Sequence, residues 1–235
     1  LDGLVDAGFR VVVFDNRDAG LSDAVEADYT LHDMANDEIG LQDALGIARA
    51  SLFGISLGGM VAQLVACHWP ERVQCLFSVM STSGDPGLPQ AAPEVRARLM
   101  RAAAGREAII ALSAESRAVF GSPAYPESTA ARVAAATAAF DRAYRPAGVA
   151  RQMSAGLADG SRGAGPARIR GPAPVIHGAG DPLIPVAAGE HTAQLIPGAR
   201  LEIIPGMGHN LPDALASRFV ELVREFVVAH PDPLP

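Results

Sequence analysis

The chain contains no lysine, and all 19 of its basic residues are arginine. Without an amine side chain there is no Walker A phosphate loop, no pyridoxal Schiff base and no Ser-Lys dyad. Cysteine is scarce as well. Cys67 and Cys75 are the only two; they form neither a CxxC pair nor a Cys/His cluster, which excludes a zinc framework and leaves both to be read as buried free thiols. No metal or cofactor is called for. The longest apolar runs fall well short of the roughly 20 residues that a membrane helix needs, and no charged-then-apolar leader opens the sequence. The expectation is therefore no membrane partner and a cytoplasmic location. Basic runs are missing too, and the net charge is −7, so nucleic acid and anionic surfaces are not expected partners.

What is present is a chain of 235 residues, 49% hydrophobic and 19% charged. That is enough to bury one large core, and a single domain over 1–235 is expected. Residues 1–7 read as a helix closed by Gly8. Residues 9–14 form a continuous apolar, β-branched run suited to a buried parallel strand, and 15–23 a polar loop. Thr30 followed by Asp33 predicts a capping box for a helix that turns Leu31, Met34, Ala35, Leu41 and Leu45 inward and ends at Gly46. A strand over 50–55, a helix from Gly58 to the Trp69-Pro70 stop and a strand over 73–79 follow. This alternation predicts an α/β fold, a mostly parallel sheet flanked by helices. Residues 85–168 break the rhythm with Ala/Arg-rich helical segments punctuated by proline, read as a helical insertion that covers one edge of the sheet as a lid. Strands over 173–177 and 201–204, with helices over 187–195 and 214–229, resume the alternation.

Gly54-Ile55-Ser56-Leu57-Gly58-Gly59 falls between a predicted strand and a predicted helix, the context that makes G-x-S-x-G a nucleophile elbow. Small residues two positions either side of the serine would let strand and helix pass closely. Ser56 Oγ would stand above the sheet, and the Leu57 backbone N–H, at a helix N-terminus, would face a developing oxyanion. A serine hydroxyl needs a base. Among six histidines, His209 alone sits in a glycine-rich loop after a late strand; His177 closes a strand and reads as structural or pocket-lining. The base needs a carboxylate to fix its tautomer. Asp181 follows the strand just before that of the base, and the chain order Ser, acid, His favours it over Asp85, which follows a neighbouring strand.

Together these residues resemble the α/β-hydrolase family. Four segments carry the likeness: Asp15-Asn16-Arg17-Asp18-Ala19-Gly20-Leu21-Ser22, similar to a D-x-R-G-x-G-x-S loop; the elbow at Ser56; His68-Trp69-Pro70-Glu71-Arg72-Val73; and the Asp181 and His209 loops. The resemblance implies a cofactor-free serine hydrolase acting on small-molecule carboxylic esters, similar to small carboxylesterases of the aclacinomycin methylesterase type. A C–C hydrolase or perhydrolase could use the same triad, and a non-catalytic ligand-binding protein could keep the same fold. Serine at 56 counts against haloalkane dehalogenases and epoxide hydrolases, which place aspartate there. Asp18 stands where the family's loop has glycine, which would alter the pocket edge. The family also carries upstream strands and a His-Gly loop that supplies a second oxyanion N–H, whereas the one His-Gly pair here is His177-Gly178. The sequence therefore reads as a segment of a longer protein whose N-terminal strands are missing. Turnover about 10²–10³-fold below that of an extended form is expected.

Overall fold

A computed structural model describes residues 1–160, 162 and 165–230. Four parallel strands form one sheet in the order β1-β2-β3-β4: β1 Ala50–Ile55, β2 Val73–Val79, β3 Pro174–Gly178 and β4 Arg200–Ile204. Each lies within one residue of the run expected from its apolar pattern. The β2 strand is buried along nearly all its length, as expected when a parallel sheet is covered on both faces.

Helices supply those covers. On one face lie α2 (Leu31–Ala44), α3 (Leu57–His68) and α8 (Val186–Leu195); the other carries α1 (Asp2–Asp6) and α9 (Ala216–Ala229). Leu31, Met34, Val65 and Leu76 fill the first layer and Phe77, Ile176, Met207 and Leu222 the second. Burying each such side chain fully is worth about 1.5–3 kcal/mol. The N-terminus of α2 forms as its residues dictate: Thr30 Oγ1 accepts from the Asp33 N–H at 3.2 Å while an Asp33 carboxylate oxygen accepts from the Thr30 N–H at 2.8 Å. Its inner face differs from expectation toward the C-terminus. Leu45 is exposed, Leu41 only half-buried, and Gln42 is buried in their place.

The expected strand at 9–14 is not a strand. The run is irregular, with Val12, Val13 and Phe14 all exposed. An apolar β-branched run supplies side chains for a sheet but not the ladder, which needs a neighbour's N–H and C=O groups. Among the described residues no strand pairs with this run, and β1 is an edge strand with Phe53 and Ile55 exposed.

Between β2 and β3 the chain forms α4 (Pro93–Leu99), α5 (Arg106–Phe120), α6 (Thr129–Arg142) and α7 (Pro146–Ala158), with no strand among the described residues. Ile110, Ala114 and Ala136 make a small core of their own between α5 and α6. Among the described residues no helix is long and apolar enough to cross a membrane.

Candidate active site

The turn from β1 into α3 bends through Ser56, which adopts φ 53°, ψ −117°. Positive φ in a non-glycine residue is uncommon, and this ψ lies outside the small left-handed region as well. Such strain persists only where the surroundings fix it. Here the Ser56 N–H donates to the Val79 carbonyl at 2.9 Å, and Ser81 Oγ donates to the Ser56 carbonyl at 2.8 Å. A Cβ on Gly54 would fall 2.4 Å from the Gly58 carbonyl oxygen, so only glycine fits there. Gly58 itself has open space beside it, contrary to the expectation that both flanking glycines are sterically required. The crowded position is Gly59, whose Cβ would meet Ser81 Cβ at 2.6 Å, because the helix turns residue 59 rather than 58 onto the segment that follows β2.

Three loops at the carboxyl ends of β1, β3 and β4 bring Ser56, Asp181 and His209 together. His209 Nε2 lies 3.0 Å from Ser56 Oγ, and His209 Nδ1 lies 2.7 Å from Asp181 Oδ2. Asp181 Oδ1 accepts two backbone N–H bonds, from Leu183 and Ile184, both at 2.9 Å. The Asp181 side chain is fully buried and that of His209 is 10% exposed. An ionised carboxylate can only accept, so Nδ1 carries the proton and Nε2 presents its lone pair to the serine hydroxyl. Leu57 is the first residue of α3, and its N–H is among those that a helix leaves without an intrahelical acceptor. Asp85 lies elsewhere: its carboxylate accepts from the Gly87 N–H at 2.8 Å and starts a turn.

Residues 1–213 match the family model for the alpha/beta hydrolase fold. The chain belongs to the α/β-hydrolase fold family. It is similar to the rhodomycin D methylesterase DnrP of Streptomyces peucetius, 28% identical over 241 residues that span 92% of this chain and 80% of that protein. Similarity to the putative carbamate hydrolase RutD of Variovorax paradoxus is more local, 39% over 84 residues, spanning 35% of this chain and 32% of that protein. A solved hydrolase from Pseudomonas aeruginosa aligns with a TM-score of 0.74 and 28% identity, covering 95% of this chain and 82% of that one.

In this α/β hydrolase the end of α5 and the loop after it hold the His209 loop in place. The His209 N–H donates to the Phe120 carbonyl at 2.7 Å, and the Gly208 N–H to Ser122 Oγ at 2.8 Å. Gly208 approaches so closely that a Cβ would lie 2.2 Å from the Gly121 carbonyl oxygen. Ser122 Oγ in turn donates to Asn210 Oδ1 at 2.5 Å. Neither Phe120 nor Ser122 is marked by any motif; they matter because the end of α5 lands on the His209 loop.

The Asp18 loop meets α7. Asp18 is buried with φ 67°, in the left-handed region where glycine is favoured. Its carboxylate accepts from Arg151 Nε at 2.7 Å, Arg151 Nη2 at 3.0 Å and the Val25 N–H at 2.8 Å. The Arg151 guanidinium thereby holds this carboxyl well below the usual carboxylate range. Arg145 Nη1 donates to the Ser22 carbonyl at 2.6 Å and Gln152 Nε2 to the Arg17 carbonyl at 2.8 Å, so the loop is tied to α7 at several points. At the elbow, Gly156 of α7 packs on Leu57.

A cavity of about 230 Å³ is lined by His32, Gln63, Cys67, His68, Asp159 and Arg162 among others. It opens beside α3 and touches none of Ser56, Asp181 and His209. Among the described residues no group of three or more metal-ligating side chains comes together.

Proposed function

We propose that this hydrolase cleaves carboxylic esters by acyl transfer through a Ser56–His209–Asp181 triad. The observation that carries the reading is the continuous contact from Ser56 Oγ through the imidazole to the buried Asp181 carboxylate, at 3.0 and 2.7 Å. His209 Nε2 takes the hydroxyl proton as Oγ attacks the carbonyl carbon. The carbonyl oxygen becomes an oxyanion, to which the Leu57 N–H donates, and Asp181 stabilises the imidazolium. His209 then returns the proton to the departing alkoxide, which leaves as the alcohol. Water, deprotonated by the same imidazole, releases the acid and restores Ser56. Nothing in this cycle requires a cofactor. Likeness to a protein named a methylesterase favours esters as the substrate class.

Fluorophosphonate labelling with peptide mass mapping tests the proposal. A label on Ser56 that is absent from Ser56→Ala marks an activated nucleophile. A folded chain that binds ester ligands while Ser56 stays unlabelled favours instead a non-catalytic ligand-binding role.

A further inference from the structure

His177 is the one fully buried histidine among the described residues, and the acyl-transfer cycle leaves it unused. It lies in β3, four positions before Asp181. Its Nε2 is 2.8 Å from the Ile184 carbonyl oxygen. A carbonyl only accepts, so Nε2 carries the proton. The other ring nitrogen, Nδ1, is buried without a hydrogen-bond partner. It packs so closely on α8 that a Cβ at Gly189 would come within 2.5 Å of it. Burial also holds the imidazole pKa below its usual value. The ring is thus a neutral N–H donor with one orientation, wedged between β3 and the glycine of α8.

The residue it holds is the one that holds Asp181. The Ile184 N–H donates to Asp181 Oδ1 at 2.9 Å while the Ile184 carbonyl accepts from His177. Ile184 is therefore clamped at both of its backbone polar groups. His177 Nε2 also lies 3.6 Å from Asp181 Oδ2. That is too long for a hydrogen bond, but it sets an N–H dipole beside the oxygen that contacts His209. We propose that His177 is a positioning residue for Asp181: it fixes the turn over residues 181–184 so that Oδ2 meets His209 Nδ1. The inference rests on the acyl-transfer reading of the triad.

Three variants of the whole chain test it, each assayed for Ser56 labelling rate and for kcat and KM on p-nitrophenyl butyrate. His177→Leu removes the donor, and misplacement on the order of 1 Å should lower kcat and labelling about 10²-fold with KM changed less than about twofold. His177→Gln restores an N–H near the position of Nε2 and should recover most of the loss. Gly189→Ala keeps the histidine but displaces its ring, and should resemble His177→Leu. Thermal melts identify variants that do not fold. If His177→Leu is one of them, the contrast between His177→Gln and Gly189→Ala decides. Equal losses in the Leu and Gln variants, a change in KM alone, or folded Gly189→Ala at the wild-type rate would overturn the proposal. A wild-type chain that takes no label on Ser56 overturns the triad reading instead, and this inference falls with it.

Discussion

Replacing Ser56 by glycine should make this protein more stable than replacing it by alanine, the reverse of the usual order. At an ordinary position within an element, glycine is less stable than alanine by about 0.5–1 kcal/mol because the unfolded chain is freer. Ser56 is not ordinary, with φ 53° and ψ −117°. A side chain forced into such a region costs about 1–3 kcal/mol. Alanine keeps that strain because its Cβ remains, whereas glycine releases it. Both variants lose Oγ and its contact with His209 equally, so this contact cancels in the comparison. Subtracting the entropic term from the strain leaves Ser56→Gly ahead of Ser56→Ala by roughly 1 kcal/mol. For a chain of this length that corresponds to about 2–4 °C in Tm. Urea unfolding of the two variants, compared at equal m-values, measures the difference directly. If Ser56→Gly proved equal to or less stable than Ser56→Ala, the claim that the elbow stores backbone strain would be wrong.

Gly59→Ala should cost about 1–3 kcal/mol through overpacking against Ser81, since the new Cβ would lie 2.6 Å from Ser81 Cβ. Gly59→Ala/Ser81→Gly should recover part of that loss, and a denaturant double-mutant cycle showing strict additivity would count against the contact. Asp18 sets an acid limit. Because Arg151 depresses its folded pKa, the unfolded chain takes up a proton first, so the stabilisation is complete above the ordinary value near 4 and is lost as pH falls from there toward the folded pKa. The stability gap between wild type and Asp18→Asn, measured by urea melts from about pH 6 to pH 2.5, should narrow as pH falls; a constant gap would contradict it. Burial pushes the Cys75 thiol up to about 12, so in the native protein at pH 8 it should resist iodoacetamide and react only on unfolding, and prompt native alkylation mapped to Cys75 would contradict its burial.

How far the sequence spoke depended on whether a feature is local. Ser56 lies between a strand and a helix whose runs are continuous in sequence, so the elbow could be placed from six residues. His209 and Asp181 could be found because each follows a strand of its own and strand ends converge at one edge of a parallel sheet. The capping box at Thr30 formed for the same reason, since all its partners lie within four residues. Residues 9–14 show the opposite. Their apolar pattern is strand-like, yet a ladder depends on a neighbour that the pattern does not contain. The Gly58 expectation failed on a smaller scale, because steric need at a turn depends on what crosses it, and Ser81, just past the end of β2, crosses at Gly59. The contacts that fix His209 were the least legible. The Phe120 carbonyl, at the last residue of α5, and the Ser122 hydroxyl, in the loop just after it, lie more than 80 positions before His209 in an unmarked stretch. Helices with no motif of their own can thus hold a distant loop in place, here through the Phe120 carbonyl that accepts from the His209 backbone N–H.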